Sequence, residues 1–117
     1  MAVNNEIGTI EPIADLAAIA HECGAFFHTD AVQAVGHIPI DVREMKIDML
    51  SASGHKFHAP KGIGFLYVRR GAPLFSYADG GAQEFGLRAG TENVAYIVAM
   101  AAALRKCCDN MQETAAR

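Results

Sequence analysis

Two side chains in this sequence are suited to covalent chemistry. Lys56 lies in Ser51-Ala52-Ser53-Gly54-His55-Lys56, twenty-six positions after Asp30 in His28-Thr29-Asp30-Ala31-Val32-Gln33. A lysine beside Ser and His, matched at a distance by an aspartate that ends an apolar segment, suits pyridoxal phosphate (PLP). The lysine amine forms an imine with the cofactor aldehyde, and the carboxylate keeps the ring nitrogen protonated so that the ring withdraws electrons. Ser53 and His55 can donate hydrogen bonds to a phosphate, and Gln33 can reach a ring oxygen. Spacing alone leaves a second reading open, because isolated Lys and Asp residues usually face solvent.

Groups of this kind need a scaffold that brings them together. Strand-like and helix-like segments alternate along the chain, which predicts an α/β fold. Residues 11–23 predict a helix: Pro12 suits the first turn, Ile13, Leu16, Ala17 and Ala20 share a face, and Gly24 stops it. A short strand over 25–29 ends at Asp30, which can also cap a short helix carrying Gln33. Residues 38–40 are extended, 42–46 form a helical turn, and 47–52 form a strand with Lys56 in the loop after it. Asp30 and Lys56 thus fall just past the carboxyl ends of two strands, where open α/β sheets bind ligands. A turn at 60–64 leads to a strand over 65–68. Residues 71–90 form a long loop with glycines at 71, 80, 81, 86 and 90. Thr91 then suits the N-cap, and Glu92 the first turn, of a last helix reaching about Asn110. That helix is apolar nearly all round from Val94 to Leu104, so it needs cover on more than one side, and an oligomer is expected.

Composition narrows the function classes. The chain has 117 residues, enough for one domain with a core. Its net charge of −3, with charges interspersed, offers no basic stripe for nucleic acid. The longest apolar run falls well short of the ~20 residues of a bilayer span. No cationic, apolar leader is legible at Met1-Ala2-Val3. Three cysteines, two of them adjacent, speak against a disulfide framework and for a reducing cytoplasm. Cys23, Cys107 and Cys108 read as buried small apolar residues on helices. His55 and His58 have no companion ligands at metal spacing, so no metal site is expected.

Four motifs in order extend this reading: Val3-Asn4-Asn5-Glu6-Ile7-Gly8, His28 to Gln33, Ser53-Gly54-His55-Lys56, and the run from Gly80 to Asn93. Together they closely resemble the cysteine desulfurases of the nitrogen-fixation and iron–sulfur-cluster type, within the class V aminotransferase group of PLP enzymes. The resemblance spans essentially all of residues 1–117. It implies part of the large PLP-dependent transferase domain, of the aspartate-aminotransferase type, with a mostly parallel sheet and flanking helices.

By position, the resemblance makes Lys56 the cofactor lysine and Asp30 the partner of the pyridine nitrogen. It makes Gln33 a donor to the ring hydroxyl, Asn5 a contact on the cofactor and substrate side, and Ser53 and His55 phosphate donors. Thr91 is similar to a threonine that reaches the phosphate of the neighbouring subunit in the family's dimer. Beside each stands a plainer role: turn residue for Asn5, exposed glutamine for Gln33, loop hydrogen bonding for Ser53 and His55, helix cap for Thr91. The resemblance further implies L-cysteine as substrate, alanine and an enzyme persulfide as products, and a scaffold protein as sulfur acceptor.

This chain is much shorter than the family's enzymes. The strands expected before the Asn5 motif, and the small domain with the nucleophilic cysteine, have no counterpart here. None of Cys23, Cys107 and Cys108 matches that cysteine, so the chain by itself is expected to be inactive as a desulfurase. A selenocysteine lyase or another class V aminotransferase shares the same fold, but the Gly80 to Asn93 motif favours the desulfurase. The reading from another class is a non-enzymatic remnant acting as an interaction module through its apolar helix.

Overall fold

The computed structural model describes residues 1–116. Three helices, α1 (Ile13–Glu22), α2 (Val94–Asp109) and α3 (Met111–Ala115), accompany three strands, β1 (His28–Asp30), β2 (Met49–Ser53) and β3 (Gly64–Val68). The sheet order is β1-β2-β3. β1 and β2 run parallel, pairing His28 with Met49 and Asp30 with Ser51. β3 returns antiparallel to β2, pairing Ser53 with Gly64 and Met49 with Val68. The antiparallel return follows from a short connection, since a parallel pair needs a crossover of a dozen or more residues. A side chain at Gly64 would drive into the Ala52 carbonyl, so only glycine permits this close start to β3.

The predicted helix over 11–23 forms as α1, buries Ile13 and Ala17, and leaves Leu16 exposed. β2 alternates as a half-covered strand should, with Leu50 and Ala52 inward. The core joins Ala2, Ile13, Ala31, Ala34, Val35, Ile47, Leu50, Ala52 and Phe57. Phe57 is its largest fully buried side chain. Gly36, at φ +82°, brings backbone against it; a Cβ there would meet Phe57 Cβ at 3.0 Å and Cys107 Cβ at 3.2 Å.

Two local expectations are corrected. Asn93, not Thr91, caps α2: its Oδ1 accepts from Tyr96 N–H at 3.2 Å. Asparagine reaches the orphan amide three residues on, and Thr91 is two residues too early to do so. α2 is covered by this chain along one stripe only. Met100, Ala103, Leu104 and Cys107, at helical spacing, pack on the core, while Val94, Tyr96 and Val98 are exposed. The cysteines are not buried: Cys23 and Cys108 are exposed and Cys107 is half-buried. The long glycine-rich loop is present; a 3-10 turn at Glu84–Gly86 interrupts it, and Phe75, Tyr77 and Phe85 stand exposed along it.

Truncating the buried aromatic removes many contacts that the site turn cannot recover by collapse. Phe57→Ala is therefore expected to lower stability by ~3–5 kcal/mol, whereas Phe85→Ala, at an exposed side chain, changes it by about 0.5 kcal/mol or less. Urea denaturation followed by circular dichroism distinguishes the two.

Candidate active site

Parallel pairing of β1 with β2 places their carboxyl ends at one edge of the sheet. Asp30 is the last residue of β1, and Lys56 follows β2 on a 3-10 turn, Gly54–Phe57. That turn is seated by Phe57 in the core and closed by Ala59 N–H donating to Gly54 O at 3.0 Å. Gly54 N–H in turn donates to Ile63 O at 2.8 Å, which ties the turn to the start of β3.

The segment after β1 turns back on itself. Ala31 N–H continues the ladder to Ser51 O at 2.9 Å, and Asp30 Oδ1 accepts from Val32 N–H at 2.8 Å. Asp30 thus caps the turn bearing Gln33, as its position suggested. At 2.9 Å, His37 Nε2 meets Lys56 O. The turn after β1 and the turn after β2 are therefore bonded to one another.

Ser53 Oγ and His55 Nδ1 lie 2.8 Å apart, forming a polar pair one residue before the lysine. Lys56 is half-buried, and its Nζ has no hydrogen-bond or ion-pair partner among the described residues. Ala2 N–H donates to Asp30 O at 2.7 Å, so the turn with Asn5 leaves from beside Asp30. In that turn it is Asn4 whose Oδ1 accepts from Glu6 and Ile7; Asn5 is exposed. Asp30 and Ser53 thus end β1 and β2, and Gln33, His55 and Lys56 lie on the two bonded turns that follow at one edge. Thr91 is exposed in the loop before α2, with no hydrogen bond to the other five.

The donor set at this edge fits PLP chemically. It holds the amine of a half-buried lysine, engaged by no group among the described residues, a carboxylate with one oxygen held by backbone, and a hydroxyl–imidazole pair. Two concavities lie elsewhere. One of about 250 Å³ is lined by apolar residues including Ala2, Ile13, Ile38 and Leu50. The other, of about 610 Å³, is bounded by His21, Arg43, Lys46, Tyr67, Arg69 and Arg70. Neither includes Asp30, Ser53, His55 or Lys56 in its lining.

At the opposite edge is a network that sequence reading missed. Asp48, fully buried, accepts from Phe27 N–H at 2.7 Å, from Arg69 Nε at 2.6 Å, and lies 2.7 Å from His21 Nε2. Burial by itself would raise the Asp48 carboxyl. The bonds from Phe27, His21 and Arg69 outweigh burial and lower it to about 2. The only sequence signal was a carboxylate inside an apolar run, Ile47-Asp48-Met49-Leu50, where an unpaired charge is costly.

Comparisons with known proteins give the family of the chain. The aminotransferase class-V family model matches residues 1–117, and the chain belongs to that family. A cysteine desulfurase of Gluconacetobacter diazotrophicus is 64% identical over 103 residues, 88% of this chain and 26% of that protein. Cysteine desulfurase IscS of Dictyoglomus turgidum is 57% identical over 104 residues, 89% of this chain and 26% of its own length. Among solved structures, a NifS-like protein superposes with a TM-score of 0.93 at 43% identity, covering 97% of this chain and 32% of that one. A structure of SspA in complex with cysteine gives 0.85 at 49% identity, over 89% of this chain and 30% of that one. The chain thus spans about a quarter of the curated relatives it matches.

The Asp48 pKa carries a stability prediction. Its folded value, about 2, lies below the ordinary 3.8, so the network contributes fully above pH 3.8 and is lost as pH falls towards 2. Asp48→Asn should cost ~1–3 kcal/mol at neutral pH, because Arg69 and His21 are exposed enough to return to water. The variant should also lose less of its urea midpoint than the parent between those pH values.

Proposed function

We propose that the chain is the cofactor-lysine segment of the large domain of a PLP-dependent cysteine desulfurase. The observation that carries this reading is the half-buried Lys56 amine on a turn bonded to the turn of Asp30. When bound, PLP supplies a cationic ring that takes up the electrons left at a substrate carbon when a proton departs. Lys56 is the group that holds the cofactor and then carries that proton at the substrate α-carbon. Asp30 accepts the ring N–H through its carboxylate and so keeps the ring cationic. Ser53 and His55 donate to the phosphate, and Gln33 donates to the ring hydroxyl. Asn5 borders the substrate side. Thr91 acts across a homodimer, in keeping with its exposure and its lack of a hydrogen bond to the other residues.

L-cysteine is the substrate this assignment implies, with alanine as product and a scaffold protein as the sulfur acceptor. The thiol that takes the sulfur is not among Cys23, Cys107 and Cys108, none of which lies on the Lys56 turn. Residues 1–117 form part of one large domain, and their work is cofactor holding and proton transfer. A cytoplasmic setting suits three cysteines that are all free. No described helix is long and apolar enough to cross a membrane.

Incubation with PLP followed by borohydride reduction and peptide mapping tests the assignment. The phosphopyridoxyl adduct should concentrate on Lys56 over Lys46, Lys61 and Lys106, and Lys56→Ala should abolish the preference. Asp30→Asn should leave the adduct in place but shift its spectrum before reduction. Labelling spread evenly over the four lysines overturns the reading. Sulfide release from cysteine by the isolated chain should be absent.

A further inference from the structure

We infer that His37 is a positioning residue that locks the Lys56 turn against the Asp30 turn. The inference rests on the reading of Lys56 and Asp30 above. His37 Nε2 lies 2.9 Å from Lys56 O. A carbonyl oxygen can only accept, so the ring nitrogen carries the proton and donates. The bond falls on the backbone of the reactive residue itself, and it reaches across nineteen positions of sequence.

The segment that carries His37 begins at Asp30 and is wound tightly. Ala34 N–H and Val35 N–H both donate to Ala31 O, at 2.9 and 3.0 Å, and His37 N–H donates to Ala34 O at 3.0 Å. Ala31 and Ala34 are fully buried, so this winding is fixed to the core at its base. Gly36 sits directly against Phe57, the residue after Lys56, where a Cβ would press on Phe57 Cβ at 3.0 Å. One apolar contact and one hydrogen bond therefore clamp residues 36–37 onto residues 56–57.

The clamp matters because Asp30 and Lys56 sit on different turns. Parallel pairing fixes the ends of β1 and β2, but Lys56 lies three residues past the last ladder position, Ser53. Phe57 in the core, Ala59 N–H on Gly54 O and Cys107 Sγ at 3.5 Å from Phe57 O hold the turn on either side, and the His37 bond falls on Lys56 itself. A lysine that must meet a small ring also facing Asp30 gains rate from a fixed starting geometry. His37 supplies that restraint without touching the cofactor.

Hydrogen exchange and cofactor trapping together test this on the full chain. In His37→Ala, amides of residues 57–59 should exchange several-fold faster, while those of β3 and α1 keep the parent rate. The share of borohydride-trapped adduct on Lys56 should fall several-fold relative to Lys46, Lys61 and Lys106. His37→Gln, whose Nε2 reaches the same carbonyl as a donor, should restore both. Unchanged exchange at 57–59 in His37→Ala overturns the inference, whatever the trapping gives. So does failure of His37→Gln to rescue while global stability is kept. If the parent chain shows no preference for Lys56, the cofactor assignment fails by itself, and exchange still decides the clamp.

Discussion

Three residue pairs, His28 with Met49, Thr29 with Leu50 and Asp30 with Ser51, set the direction in which β1 and β2 run. Because that direction is shared, both strands finish at the same edge, and whatever follows each is delivered there. An antiparallel pairing of the same strands would send Asp30 and Lys56 to opposite ends of the sheet. The rest of the site elaborates this one alignment: a capped turn after β1, a 3-10 turn after β2, and contacts between them at Gly36, His37, Lys56 and Phe57.

The two edges of the sheet divide the labour. At one, polar groups remain half-exposed and engaged only in part, as a site for a ligand requires. At the other, Asp48 is sealed and bonded by Phe27, His21 and Arg69, joining α1, the approach to β1, the start of β2 and the end of β3. The most heavily bonded polar group, Asp48, thus lies across the sheet from the turn of Lys56. The apolar anchorage, Phe57, lies directly under the lysine turn.

Much apolar surface stays uncovered among the described residues. The chain spans about a quarter of its curated relatives. A three-stranded sheet cannot cover an amphipathic α2 beyond one stripe, so Val94 and Val98 stay in solvent.

Sequence by itself determined the alternation of elements, the short strand ending at Asp30, the strand that precedes Lys56 and the glycine-rich loop, because these depend on local periodicity and turn chemistry. Motif order also identified the family. Only the tertiary structure decided which cap α2 uses, that the cysteines lie at or near the surface, that Asp48 gathers three partners, and that His37 meets the carbonyl of Lys56. Each of these depends on groups brought together from distant positions. No local pattern encodes which side chain a folded backbone will leave within 3 Å of another.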